Sequence, residues 1–142
     1  MKTTQDLKVA QYWNDVAQDF DAIYTRKNKS GVARALDKWL RRDIYERFDW
    51  VMRKSGDVKG KSICDIGCGS GRFVTNLAKM GASRVLGVDV APEMLKLARE
   101  LAAKEGVAGR TEFQQMDIID WNRTDVFDET IAIGFWDYFA DP

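Results

Sequence analysis

The 142-residue chain has no histidine, two cysteines, two prolines and no net charge, 22 basic residues being matched by 22 acidic ones. Without histidine, neither a Ser-His-Asp triad nor a zinc site of the Cys/His type can be built within this chain. Cys64 lies inside an apolar run, where a thiol is ordinarily a small buried hydrophobe, and reduced thiols are the default for an intracellular protein. No apolar run approaches the roughly 20 residues of a membrane span. The start, Met1-Lys2-Thr3-Thr4-Gln5-Asp6, lacks the apolar core of a signal peptide. A cytoplasmic protein without a membrane partner is therefore the expectation. Charge is unevenly divided: basic residues outnumber acidic ones 13 to 9 over residues 1–60, and the ratio reverses over 61–142. That mild bias reads as solvated helix faces and is far from the dense basic stripe of a nucleic-acid binder, so no nucleic-acid partner is expected.

What is present fits a globular domain: 45% hydrophobic and 31% charged residues. A domain of this length buries about two-thirds of its unfolded surface. The pattern changes near residue 60, which suggests an N-terminal helical segment over 1–60 and an α/β core over 61–142. Val9, Tyr12, Trp13, Val16 and Phe20 recur at helical spacing and predict a helix near residues 5–19. A looser stretch follows from Asp21 to Gly31. A longer helix is expected from about Val32 to Lys54, with Leu36, Trp39, Leu40, Ile44, Phe48, Val51 and Met52 towards one side, ended by Ser55-Gly56.

From Lys61 strands and helices alternate, which implies a parallel sheet with crossover helices. Strands are expected at Ser62–Ile66, Arg84–Val88, Thr111–Gln115 and Asp128–Phe135. Helices are expected from Ser70 to Met80, with Phe73, Leu77 and Ala78 inward, and after Pro92, with Met94, Leu95, Ala98, Leu101 and Ala102 inward.

The chemistry concentrates at the first strand's end, Ile63-Cys64-Asp65-Ile66-Gly67-Cys68-Gly69-Ser70-Gly71. An apolar strand runs into alternating glycines, and a second apolar run, Val85-Leu86-Gly87-Val88, ends one helix later in Asp89. Glycine lets a backbone approach a ligand that a Cβ would block. The helix that follows directs its free N–H groups and positive dipole end at that ligand, and an acid at the next strand tip can accept from ribose hydroxyls. A dinucleotide fingerprint needs Gly-x-Gly-x-x-Gly, but counting from Gly67 the third glycine position holds Arg72. The pattern is instead Asp65-x-Gly67-x-Gly69-x-Gly71.

With Asp89 in register, this pattern resembles motif I of the class I S-adenosylmethionine-dependent methyltransferases. The resemblance implies a Rossmann-like α/β fold, S-adenosylmethionine as cofactor and methyl transfer as activity. It implies that Gly67 and Gly69, with Gly71 completing the turn, border the methionine part of the cofactor. Asp65 resembles the acid that supports the methionine amino group; it can also hold the glycine turn through backbone N–H groups. Asp89 matches the ribose-binding acid, against the alternative of a solvated acid at a strand end. Val90 and Met94 would lie beside the adenine, with core packing as an equal role for Met94. Gln115-Met116-Asp117-Ile118 resembles the motif whose acid accepts from the adenine amino group, and Gly134 and Phe135 match the position where backbone meets the methionine amino group.

No catalytic residue is assigned. Asp137 and Tyr138 stand nearest to where a base would be needed, and can equally cap and pack a following helix. Gly134-Phe135-Trp136-Asp137 differs from the Asn/Asp-Pro-Pro-Tyr signature of enzymes that methylate amino groups of DNA bases, which tilts the expected acceptor towards a small molecule. In many small-molecule relatives the N-terminal segment forms a lid, here carrying Tyr12, Phe20, Tyr24 and Arg26. The family sheet has seven strands in the order 3-2-1-4-5-7-6, of which four are legible. The fourth would then be an edge, with Ile131 and Ile133 at risk of exposure. Self-association, or a second chain completing the sheet, is expected, and a non-catalytic cofactor-binding subunit is the alternative.

Overall fold

The computed structural model describes residues 8–17, 42–122, 124 and 127–133. Residues 8–17 are helical (α1), and the elements that follow are α2 (Arg42–Ser55), β1 (Ser62–Ile66), α3 (Arg72–Lys79), β2 (Arg84–Asp89), α4 (Pro92–Lys104), β3 (Thr111–Gln115) and β4 (Glu129–Ile131). Single 3-10 turns occupy Ala108–Arg110 and Ile118–Asp120. The four strands form one parallel sheet in the order β3-β2-β1-β4.

Register follows burial. Ile63 lies opposite Val85, and Asp65 lies between Gly87 of β2 and Ile131 of β4. β1 and β2 are covered on both faces, which is why each reads as a continuous apolar run without alternation. On one face Ile63, Val85 and Ile131 pack with Val74, Leu77 and Ala78 of α3, Leu95 and Ala102 of α4, and Val51 of α2. On the other, Cys64, Leu86 and Val88 are covered by Ile66, Met116, Trp121 and Phe127. A third cluster joins Ala17 of α1 to Ala91 and Met94, with Trp13 and Leu97 against it. Both α1 and α2 thus contribute side chains to these clusters. Val51 belongs to the main cluster, and Phe48 stacks on Phe73 with ring centroids 5.0 Å apart.

Several expectations need adjusting. α3 starts at Arg72, two residues late, because Ser70 and Gly71 belong to the turn, and Gly71 is its left-handed N-cap residue. β2 runs one residue further, to Asp89, whose carbonyl accepts from Met116 N–H at 3.0 Å. Leu101 is half-buried. β4 is shorter than expected, and Ala132 and Ile133 lie beyond it. Ile131 and Ile133 are not left exposed: Ile131 is 9% accessible, and Ile133 packs against the same cluster. Their side chains leave through the faces of the sheet, which helices cover, while only backbone groups line its edge. The looser stretch over 21–31, the first ten residues of the expected long helix (32–41), and Phe20, Tyr24 and Arg26 lie outside the described residues. Among the described residues, no helix is long and apolar enough to cross a membrane.

Candidate functional site

β1 ends in a turn that folds back on β2. The N–H groups of Gly67 and Cys68 both donate to the carbonyl of Val88, at 2.9 and 3.0 Å, and Gly71 N–H donates to Cys68 O at 2.9 Å. Gly69 and Gly71 hold φ of +51° and +75°, in the left-handed region where a side chain is strained. Their surroundings differ. A Cβ on Gly71 would stand 2.6 Å from the Cβ of Ala98 in α4 and 3.0 Å from the Phe113 ring of β3. A Cβ on Gly69 would meet no described residue within 4 Å. One glycine is needed for packing, and the other faces open space among the described residues.

Asp89, at the tip of β2, ties this turn to the next one. Its Oδ2 accepts from Gly69 N–H at 2.8 Å and its Oδ1 from Ala91 N–H at 2.9 Å. Burial raises its pKa, while the N–H groups of Ala91, Gly69 and Val90 work in the opposite direction. Asp65 is 2% exposed, and its buried Oδ2 has no hydrogen-bond partner among the described residues. Loss of solvation, and then the nearby charge of Asp89, hold its carboxyl well above the usual range. Bonding the glycine turn, one of two roles open to Asp65, thus falls to Asp89. Cys68 is buried, and burial, followed by the charges of Asp65 and Asp89, pushes its thiol up.

Val90 and Met94 follow the C-terminal end of β2, and Asp117 and Ile118 follow that of β3. Val90 is half-buried, its carbonyl accepting from Gln115 Nε2 at 3.1 Å. Asp117 caps the turn Ile118–Asp120 by accepting from Ile119 N–H at 3.1 Å, and Ile118 is half-buried. Met94 is 1% exposed within the α1 cluster, so packing is the role its surroundings display. Gly134, Phe135, Asp137 and Tyr138 lie outside the described residues. No group of metal-ligating side chains occurs among the described residues.

Sequence reasoning missed Gly87 and Asn14. A Cβ on Gly87 would stand 2.8 Å from Cys68 Sγ and 3.0 Å from both Phe113 and Val74, so this glycine lets the turn and α3 sit against β2. A glycine inside an apolar strand is itself a signal of such close approach. Asn14 of α1 accepts from Glu93 N–H at 3.2 Å, a pairing across 79 residues that no local pattern announces.

A site at the carboxyl ends of parallel strands, floored by a glycine turn and two acids, is where open α/β sheets bind ligands. A family model described as a methyltransferase domain matches residues 57–142, more than half of the chain. The chain belongs to this methyltransferase-domain family. It is 36% identical over 98 residues to the ubiquinone biosynthesis O-methyltransferase of Aeromonas salmonicida, covering 68% of this chain and 40% of that protein. To a probable fatty acid methyltransferase of Pseudomonas putida it is 25% identical over 136 residues, or 94% of this chain and 34% of that one. A ribosomal protein L11 methyltransferase of Edwardsiella ictaluri matches at 41% over 56 residues, 39% of this chain and 19% of the relative. The chain thus spans at most 40% of the length of these curated relatives. Among solved structures, the magnesium protoporphyrin IX methyltransferase from Synechocystis PCC 6803 with bound S-adenosylmethionine superposes with a TM-score of 0.74 at 21% identity, over 98% of this chain and 66% of that one. That likeness establishes the methyltransferase-type Rossmann-like fold.

Proposed function

We propose that this chain carries the S-adenosylmethionine site of a methyltransferase that acts on a small-molecule acceptor. The observation that carries the reading is the buried Oδ2 of Asp65, without a partner among the described residues, on the strand that leads into the glycine turn. A buried carboxylate oxygen without a donor is costly unless a ligand supplies one, and the cofactor's amino group is a cationic donor. Gly67 and Gly69 let the methionine portion approach the backbone. Both Asp89 oxygens already accept from N–H groups, and each keeps a further lone pair for a ribose hydroxyl. Val90 and Ile118 flank the adenine, Asp117 accepts from its amino group, and Gly134 and Phe135 offer backbone to the methionine end. Met94 supports the adenine side from behind, as packing.

The cofactor supplies an activated methyl on sulfur, so the protein's task is mainly alignment, which can contribute about 7–11 kcal/mol. A small acceptor is favoured because the two relatives that match 68% and 94% of this chain are named for ubiquinone biosynthesis and fatty acid methylation. The relative named for a ribosomal protein matches 39%. Among the described residues no strand lies beyond β4, and its outer edge is the surface through which a second chain, or a second copy of this one, would extend the sheet.

Titration calorimetry tests the cofactor. Saturable heat with S-adenosylhomocysteine and none with a nicotinamide dinucleotide is expected; the reverse pattern overturns the reading. Labelled methyl from S-adenosylmethionine should then enter hydroxylated aromatics or fatty acids, and label confined to protein would refute a small acceptor. Light scattering checks the edge: dimers or larger species are expected, and a clean monomer would count against pairing.

A further inference from the structure

Helix α4 begins without a cap of its own. Its N-cap residue is Ala91, which has no side chain to offer, and Pro92 at the first position has no N–H. The next N–H, that of Glu93, is taken by the side-chain Oδ1 of Asn14, from α1. Around this bond Ala17 and Trp13 pack on Ala91, Met94 and Leu97, with Ala17 and Met94 each 1% exposed.

These contacts join a longer chain of bonds. Gly69 N–H reaches Asp89 Oδ2, Asp89 Oδ1 takes Ala91 N–H, and two residues on Glu93 N–H reaches Asn14. The turn that presents Asp89 and Val90 to the ligand is therefore held from two sides, by the glycine turn and by α1. Val90, in the middle of it, is fixed from a third by Gln115.

We infer that Asn14 is a positioning residue for the cofactor: by capping α4 from α1 it fixes the Asp89–Pro92 turn, so that seating of α1 and occupancy of the site favour each other. This rests on the cofactor reading above. Coupling of this kind is reciprocal. If the seated helix improves cofactor affinity, bound cofactor must hold the helix in its seat by the same factor. A cap lost from a helix N-terminus is worth about one factor of five, within a range of roughly two- to thirtyfold.

The test uses the full chain and S-adenosylhomocysteine. Asn14→Ala should weaken its binding about threefold to tenfold, and Asn14→Asp, which keeps an acceptor oxygen in the same place, should restore it. Gln11→Ala removes an exposed bond to Asp15 on the same helix and should leave affinity unchanged, separating loss of the cap from general loosening of α1. In hydrogen exchange, the ligand should slow the amides of residues 8–17 in the wild-type chain and do so less in Asn14→Ala. A folded Asn14→Ala protein that binds as tightly as wild type overturns the inference, as does ligand binding that leaves exchange at 8–17 untouched. If the wild-type chain binds no S-adenosylhomocysteine, the cofactor reading fails and takes this one with it; normal wild-type binding with an unaffected variant sinks only the role of Asn14.

Discussion

The glycine turn has two sides that share a sequence and differ in purpose. On one, Gly71 leaves no room at all: Ala98 and Phe113 occupy the place where its side chain would be. On the other, Gly69 faces no described residue, Asp89 accepts from its N–H, and Asp65 keeps a buried oxygen without a donor among the described residues. The packed side is crowded, as interiors normally are. The open side carries, among the described residues, a buried carboxyl oxygen without a donor, a costly arrangement that a cationic ligand group would relieve. Motif glycines that look alike in sequence are therefore expected to fail differently when substituted.

Gly71→Ala should do the most damage. It forces a side chain into the left-handed region and into the Cβ of Ala98, for a loss of about 2–4 kcal/mol in denaturant unfolding. A variant as stable as wild type would show that α4 can move aside and that the packed side is not packed. Asp89→Ala stands on the boundary and should affect both properties. Two half-buried N–H groups lose their acceptor, and cofactor binding should weaken by about 1–3 kcal/mol in calorimetry. Unchanged affinity in a folded protein would remove Asp89 from the ribose. Gly69→Ala should cost only about 1–2 kcal/mol of stability, from backbone strain without a clash. Its loss of cofactor affinity should be the larger effect, and the opposite ranking would erase the distinction between the two sides.

The smallest expected effect is a dependence on pH. Burial raises the pKa of Asp65, with Asp89's charge adding to it, and burial also raises that of Asp89. The folded chain therefore holds these protons more tightly than the unfolded one. The stability they contribute is fully present below the unfolded carboxylate value of about 3.9, and is lost as pH rises through the raised folded values. Unliganded protein should show this fall in thermal melts as pH is raised above about 4, and Asp65→Asn should flatten it. A variant with the wild-type slope would mean that Asp65 is not the titrating group.

How much of this was legible in the sequence depended on distance along the chain. The bounds of β1 and β3 are those their residues suggest, because buried or bounded runs between turn signals are local patterns. Asp65 and the three glycines lie within seven positions, so their spacing could be read directly. The partners of these residues could not. That Asp89 ties Gly69, 20 residues away, and that Asn14 caps a helix 79 residues on, emerge only when strand order places them together. Gly87 was visible as a glycine in a strand, but not the crowding of Cys68, Phe113 and Val74 that requires it. Burial of Ile131 was illegible for a related reason: β4 is an edge of the described sheet, yet burial is decided by the helices that pack on its face.

The central claim is that the open side of the turn is a ligand site and the packed side is not. An amide-resolved NMR titration of the full chain with S-adenosylhomocysteine examines the open side directly. Resonances of Gly67, Gly69, Asp89 and Val90 should shift progressively and saturate together, while those of Gly81 and Gly106, in turns that lead into the amino ends of β2 and β3, stay in place. Saturable binding that leaves Gly69 and Asp89 unmoved would contradict the account.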